Sequence, residues 1–274
     1  MANTKHFRHS AHHFVFSYPE SIEQRFYSLI LMPIIAIVVI FIFFYLFSGT
    51  QYAHVRNLTI ADFGIGVIFT FIRLTIAYFL ALIVAIPVAL LIGKSPIMER
   101  ILFPLFDIVQ SVPVLAFFPV VIWIFIRINF FDGAAIFLLF IAMLWNIVFS
   151  MIGGLKVVPT DIKSAAHVFH LRGFIYISRV LIPSVVPHII TGSILAWAQG
   201  WNIIIVAEVL HNYLPNGNAS QDLAGIGSIL VHAASAGQND VLVAALIAMV
   251  IVIAMLNFFV WQKLLHYAEK FKFD

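Results

Sequence analysis

Cysteine is absent from all 274 residues, and only 10% of the residues are charged. The first absence excludes a disulfide framework, thiolate catalysis and cysteine-ligated metal. The second excludes an ordinary soluble domain, in which roughly a quarter of residues are charged. Aspartate and glutamate together number 12, which leaves little for a carboxylate-rich metal centre. No G-x-x-x-x-G-K-[ST] run occurs, so the sequence carries no phosphate loop for ATP. Low-complexity tracts and internal repeats are lacking too. The first 25 residues contain no apolar run, which predicts no cleavable signal peptide and a first span that inserts uncleaved.

What the sequence has is apolar surface, with 63% of its residues hydrophobic. A water-soluble fold could not cover that much apolar side chain, whereas lipid requires no cover. Six apolar stretches stand out, at residues 27–48, 63–92, 103–126, 131–153, 184–210 and 241–262. Each reaches the roughly 20 residues that cross the hydrocarbon core. The second is long enough to be tilted or partly interfacial, with a kink expected near Pro87. The third carries Pro104, Pro113 and Pro119, which predicts a short interfacial helix, a break at residues 111–113, and then the span proper. The expected fold is an all-α membrane protein with six transmembrane helices.

Charge sets the expected orientation. With a cytoplasmic N-terminus, the inner segments hold Lys5, Arg8, Arg25, Lys94, Arg100, Lys156, Lys163, Arg172, Arg179, Lys263, Lys270 and Lys272. The outer loops hold only Arg56 and Arg127, and Arg73 lies within a span. This bias puts positive charge inside and, with an even number of spans, both termini in the cytoplasm. The resulting division is a cytoplasmic segment 1–26, a first span and outer loop 27–62, a core 63–265 with a cytoplasmic connection 156–183, and a cytoplasmic tail 266–274.

That connection contains TDIKSAAHVFHLRG at residues 160–173. Pro159 precedes it, and Thr160 or Asp161 can cap a helix start. Ala165, Ala166, Val168, Phe169 and Leu171 form an apolar side, opposite Lys163, His167, His170 and Arg172. Such an amphipathic helix either lies on the membrane surface or receives a protein. On the outer side, residues 211–240 open as a loop and then, after Gly225-Ile226-Gly227, show a short helical pattern that could dip into the membrane.

Ser164-Ala165-Ala166 followed by Val180-Leu181-Ile182-Pro183 resembles the EAA loop of binding-protein-dependent ABC importer permeases of type I. The alanines and the proline fall at the family spacing, with Ser164 where the family has glutamate and His170 where it has glycine; Gly173 comes three residues late. The prolines at 104, 113 and 119, then Gly153-Gly154, Thr191-Gly192, Trp197, Trp201-Asn202, Ala207-Glu208 and Gly225-x-Gly227, resemble the nitrate/sulfonate/taurine branch across residues 63–265. The resemblance implies two such permease subunits, two ABC ATPases that bind ATP and Mg, an external or periplasmic substrate-binding protein, and a bacterial or archaeal inner membrane. It implies no cofactor and no catalysis in this chain, and no role for nucleic acid. The implied coupling residues are Lys163, Ser164, Ala165, Ala166, Phe169, His170, Leu171, Arg172 and Gly173. The implied cargo is a small oxyanion such as nitrate, sulfonate, taurine or bicarbonate.

Polar groups inside spans are candidates for the substrate pathway: Arg73, Asn146, Gln199, Asn202 and Glu208. A charge at the bilayer centre costs roughly 2.5–3.5 kcal/mol on insertion scales, so it tends to face a cavity or a partner. Arg73 either draws an anion or snorkels, and the amides either line the path or join helices. Two rival functions remain. His9, His12 and His13, with His167 and His170, resemble histidine boxes of a membrane di-iron enzyme. A stand-alone secondary transporter is the other, opposed by the expectation of no acidic residue near a midplane.

Overall fold

The computed structural model describes residues 60–128, 130–213 and 222–271. The expected span at 27–48, the histidines at 9, 12 and 13, and all basic residues before Ile60 lie outside the described residues. The described residues form helices and their connecting turns, with no strand among them. The helices are α1 (Ile60–Lys94), α2 (Pro96–Ser111), α3 (Phe118–Arg127), α4 (Phe131–Val157), α5 (Thr160–Val168), α6 (Gly173–Ala207), α7 (Ile226–Ser235) and α8 (Asn239–Phe271).

Among the described residues, α1, α4, α6 and α8 are each long and apolar enough to cross a membrane. A fifth crossing exists if α2 and the segment from Val114 onward, bent by 80° from one another, form one broken span. The sixth expected span is the stretch at 27–48. α4 sits at the centre, packed between α1 and α6. Four alanines make that packing close on the α1 side: Ala77, Ala81, Ala85 and Ala89 recur every fourth residue and are fully buried. In lipid, helices gain little from apolar burial and associate instead through close van der Waals fit, which small residues permit. The opposite face of α1 leaves Ile68, Ile76, Phe79 and Ile83 exposed, as suits a hydrocarbon solvent.

Three expectations need correction. The helix before the proline break is not interfacial, because α2 climbs antiparallel along α4. Glu99 pairs with Lys156 at 2.5 Å, the rings of Phe103 and Phe149 meet at 5.3 Å, and those of Phe106 and Trp145 at 5.4 Å. The α4 partners step from 156 to 145, about 16 Å of rise. The top of α2 therefore lies beside the middle of the 27-residue α4. The break itself falls at Val112 and Pro113, as the prolines predicted.

The fifth span also starts earlier than residue 184. α6 begins at Gly173 and runs through Pro183 and Pro187. A proline ring collides with the carbonyl four residues back. Here the turn before it widens to a π-helix over Ile177–Leu181, which makes room for the Pro183 ring. Ser184 Oγ donates to the Val180 carbonyl at 2.6 Å and occupies an acceptor within that wide turn. The free-standing connection therefore shrinks to residues 158–172.

Within it, α5 forms where the amphipathic pattern predicted. Its first turn differs: Pro159 takes the capping position, and neither Thr160 nor Asp161 makes a side-chain cap bond. Its end is a Schellman turn. Leu171 N–H donates to Ala166 at 2.9 Å, His170 N–H donates to His167 at 3.0 Å, and His170 has φ +53°. A left-handed residue with a Cβ is strained, and this is the position where the family pattern has glycine. His170→Gly will stabilise the turn by about 0.5–1 kcal/mol, after the added chain entropy of glycine is counted. Amide hydrogen exchange at residues 169–171 should slow by roughly threefold to fivefold.

Candidate functional site

Two constellations stand at opposite ends of the α4–α6 hairpin. At the loop end, α5 joins the hairpin's two long helices. Ala166 is only 4% exposed, so it anchors α5 to its own chain and does not belong to a free packing face. The sequence reading placed Ala166 among the coupling residues; within this chain its side chain packs inward. The free apolar surface belongs to Val168 and Phe169, 72% and 75% exposed, together with Val157 and Phe174. Lys163, Ser164, Ala165, His170, Arg172 and Gly173 are also exposed, and Leu171 is half-buried.

At the far end, α1, α4, α6 and α7 converge on one guanidinium. Arg73 Nε donates to Asp132 Oδ1 at 2.7 Å, and Arg73 Nη1 donates to Glu208 Oε1 at 2.8 Å and to the Ala224 carbonyl at 2.8 Å. Asp132 is in the first turn of α4, and Glu208 caps the end of α6. Thr70 Oγ1 donates to Glu208 at 2.7 Å and accepts from Ile226 N–H at 3.0 Å. Gly227 N–H completes the Glu208 shell at 2.8 Å. Arg73 and Glu208 are both buried, while Asp132 is half in solvent. In low dielectric such a network holds because the two buried charges, Arg73 and Glu208, are paired with one another and further hydrogen-bonded.

Glycine is required where α7 approaches this network. A Cβ on Gly227 would stand 2.7 Å from the Ile204 carbonyl oxygen and 2.9 Å from Ile205 Cα, and one on Gly225 would stand 2.2 Å from the Glu208 carboxyl. Backbone cannot yield as a side chain can, so Gly227→Ala should destabilise the folded protein by about 1–3 kcal/mol. The expected readout is a lower melting temperature by differential scanning fluorimetry in detergent.

Arg73 and Glu208, expected separately as pathway residues, are thus bonded to one another. Arg73 meets two carboxylates, so an incoming anion finds no free guanidinium there. Asn146 turns to its own helix, donating from Nδ2 to the Ala142 carbonyl at 3.2 Å. Gln199 is half-buried and Asn202 exposed, both away from the buried Trp197 and Trp201 of the same helix.

Sequence reasoning missed Thr70 and Asp132 and gave Gly225-x-Gly227 no task. It also missed a clasp beside α7, where Asp222 Oδ1 accepts from the Leu210 and His211 amides while Oδ2 lies 2.7 Å from His211 Nδ1 and 2.8 Å from His232 Nε2. Among the described residues no group of three metal-binding side chains is arranged to hold an ion. His167 and His170 are exposed on and after α5 and do not assemble a histidine box.

Comparison with known proteins gives consistent matches. The family model described as "Binding-protein-dependent transport system inner membrane component" matches residues 81–265. Over 185 residues the chain is 32% identical to a nitrate import permease protein of Leptolyngbya laminosa, covering 68% of this chain and 62% of that one. Over 138 residues it is 33% identical to a bicarbonate transport system permease protein of a Synechocystis species, covering 50% and 48%. Over 139 residues it is 30% identical to a taurine transport system permease protein of Escherichia coli, covering 50% and 49%. The chain thus spans about half to three-fifths of the length of these curated relatives.

Proposed function

Because the chain belongs to the family of binding-protein-dependent transport system inner membrane components, we propose that it is the solute-conducting subunit of an ATP-driven importer. ATP hydrolysis belongs to a separate subunit. In this reading an ATPase docks on α5 from the cytoplasm, a second permease chain completes the conducting path, and an external binding protein delivers the solute. Both termini face the cytoplasm, and the path accepts a small solute bearing an oxyanion group, the class to which the named cargo of the relatives belongs.

The observation that carries this reading is the hairpin. α4 and α6 flank the loop that holds α5, and their far ends are held together by Arg73 through Asp132 and Glu208. An apolar knob formed by Val168 and Phe169 projects where a membrane-embedded chain has no use for exposed hydrocarbon except against lipid or a protein. A push on that knob moves two long helices as one body, which is what rigid-body alternation of access requires. Asn202, exposed, and Gln199, half-buried, remain proposed path residues, since an amide within a span gains from water. Arg73 and Glu208 become a clamp at the outer mouth in place of an anion site.

The test is purification of the tagged chain from its native membrane in mild detergent. An ATP-hydrolysing subunit is expected to co-elute in near-stoichiometric amount. Recovery of the chain without one would overturn the proposal and favour a stand-alone transporter.

A further inference from the structure

The apolar run of α8 is broken once. From Val241 to Trp261 every residue is apolar except Asn257, within a helix long and apolar enough to cross a membrane. Asn257 is exposed, and no hydrogen bond joins its carboxamide to another described residue. Polar side chains in the other long helices find partners one turn back: Thr75 donates to the Phe71 carbonyl at 2.7 Å, Thr191 to Pro187 at 3.0 Å, and Asn146 to Ala142 at 3.2 Å. A carboxamide has two donors and an acceptor, and hydrocarbon satisfies none of them.

Asn257 belongs to a stripe. Val243, Leu246, Val250, Ile253 and Asn257 follow one another at alternating steps of three and four, so they share one side of α8. Val243, Leu246 and Val250 are 38%, 41% and 50% exposed, and α8 is the least buried of the four long helices. The chain holds α8 elsewhere. Val241, Ala244 and Ala245 are buried on another side. After the stripe, a π-turn over Asn257–Trp261 carries Trp261 inward to the rings of Tyr78 and Trp197, at 6.4 and 6.1 Å. The exposed side of α1, by contrast, presents Ile68, Ile76, Phe79 and Ile83 with no amide among them.

We infer that this stripe is a seam on which a second copy of the same chain packs, α8 against α8 about a two-fold axis, with the two Asn257 carboxamides bonded to one another. The inference rests on the importer reading and makes its second permease chain identical to the first. Alternating steps of three and four are the spacing of knobs-into-holes contact, and a single asparagine in such a seam fixes register and partner. A carboxamide both donates and accepts, so a second carboxamide completes it, and a two-fold axis brings the same residue from both sides. Lipid suits the valines and the leucine of the stripe equally well, but it leaves Asn257 without a partner.

The absence of cysteine makes the test direct, because any introduced thiol is the sole one in the chain. Val250→Cys lies on the stripe and keeps Asn257; Met255→Cys, 53% exposed, lies on another side of α8. Each is co-expressed as two differently tagged copies and oxidised with copper phenanthroline in native membranes. Val250→Cys should form a disulfide product carrying both tags at least about tenfold faster than Met255→Cys, because only a facing pair meets the geometry of the bond. Asn257→Leu should weaken self-association of the purified chain in detergent by about threefold to thirtyfold, the worth of one interhelical amide contact in a membrane. Equal rates at 250 and 255, a product that joins this chain to a different protein, or self-association unchanged by Asn257→Leu would each overturn the seam. The same membranes report whether an ATPase co-purifies. An ATPase that co-elutes while Val250→Cys stays uncrosslinked removes the seam and leaves the importer reading standing, whereas its loss from the wild-type chain removes that reading itself.

Discussion

Arg73→Met will unfold the far end of the hairpin, whereas the double substitution Arg73→Met/Glu208→Gln will largely restore it. The single change leaves Glu208, fully buried, facing Thr70 and Gly227 with no countercharge. Removing one member of a buried pair costs about 3–5 kcal/mol, mostly through the orphaned charge, while neutralising both is often close to neutral. A glutamine at 208 keeps an acceptor for Gly227 N–H and places a donor near the Thr70 hydroxyl. Asp132 is half-exposed and loses little when it is released to water. The measurement is melting temperature and monodispersity in detergent for the wild type, both singles and the double. A clamp predicts a coupling energy of at least about 2 kcal/mol between 73 and 208 by double-mutant cycle. A pathway cation would instead leave stability unchanged and reduce uptake alone, so an additive cycle would remove the clamp.

Phe169→Asp should abolish recovery of the ATPase with no effect on insertion or melting temperature. Phe169 is 75% exposed, so its replacement costs the isolated chain almost nothing. In a docked complex the ring would be a central apolar anchor, and loss of such an anchor typically costs at least 2 kcal/mol, or roughly thirtyfold in affinity. An aspartate adds a desolvated charge and raises that figure. Ala166→Asp serves as the contrast. It places a charge at a residue 4% exposed, so it should loosen α5 from its own chain and raise protease sensitivity at residues 160–172. If Phe169→Asp retained the ATPase in full, docking on the Val168–Phe169 knob would be wrong even with the loop intact.

These two variants also mark where sequence reading succeeded and failed. The loop helix was legible because its signals are local: a proline, an acidic first turn and an apolar side lie within fourteen residues. The break in α2 was legible for the same reason, since proline acts on its own neighbours. Which residue of the loop faces outward was not legible, because Ala166 and Phe169 both fit one apolar side and only packing against the rest of the chain separates them. The clamp was hidden for a different reason. Arg73 finds its partners 59, 135 and 151 positions away, and no periodicity encodes such distances.

The tie between α4 and α6 has one more consequence. A tuning fork whose tines are riveted at the tips cannot absorb a blow by splaying; the stroke given to its bend must arrive at the rivet. In this chain the bend is α5 and the rivet is a single guanidinium, held on one tine by the first turn of α4 and on the other by the residue that caps α6. Substitutions that let fuel be burned without moving cargo should therefore gather at position 73 and its two carboxylates, some 40 Å from the surface that receives the blow by the rise of a 27-residue helix.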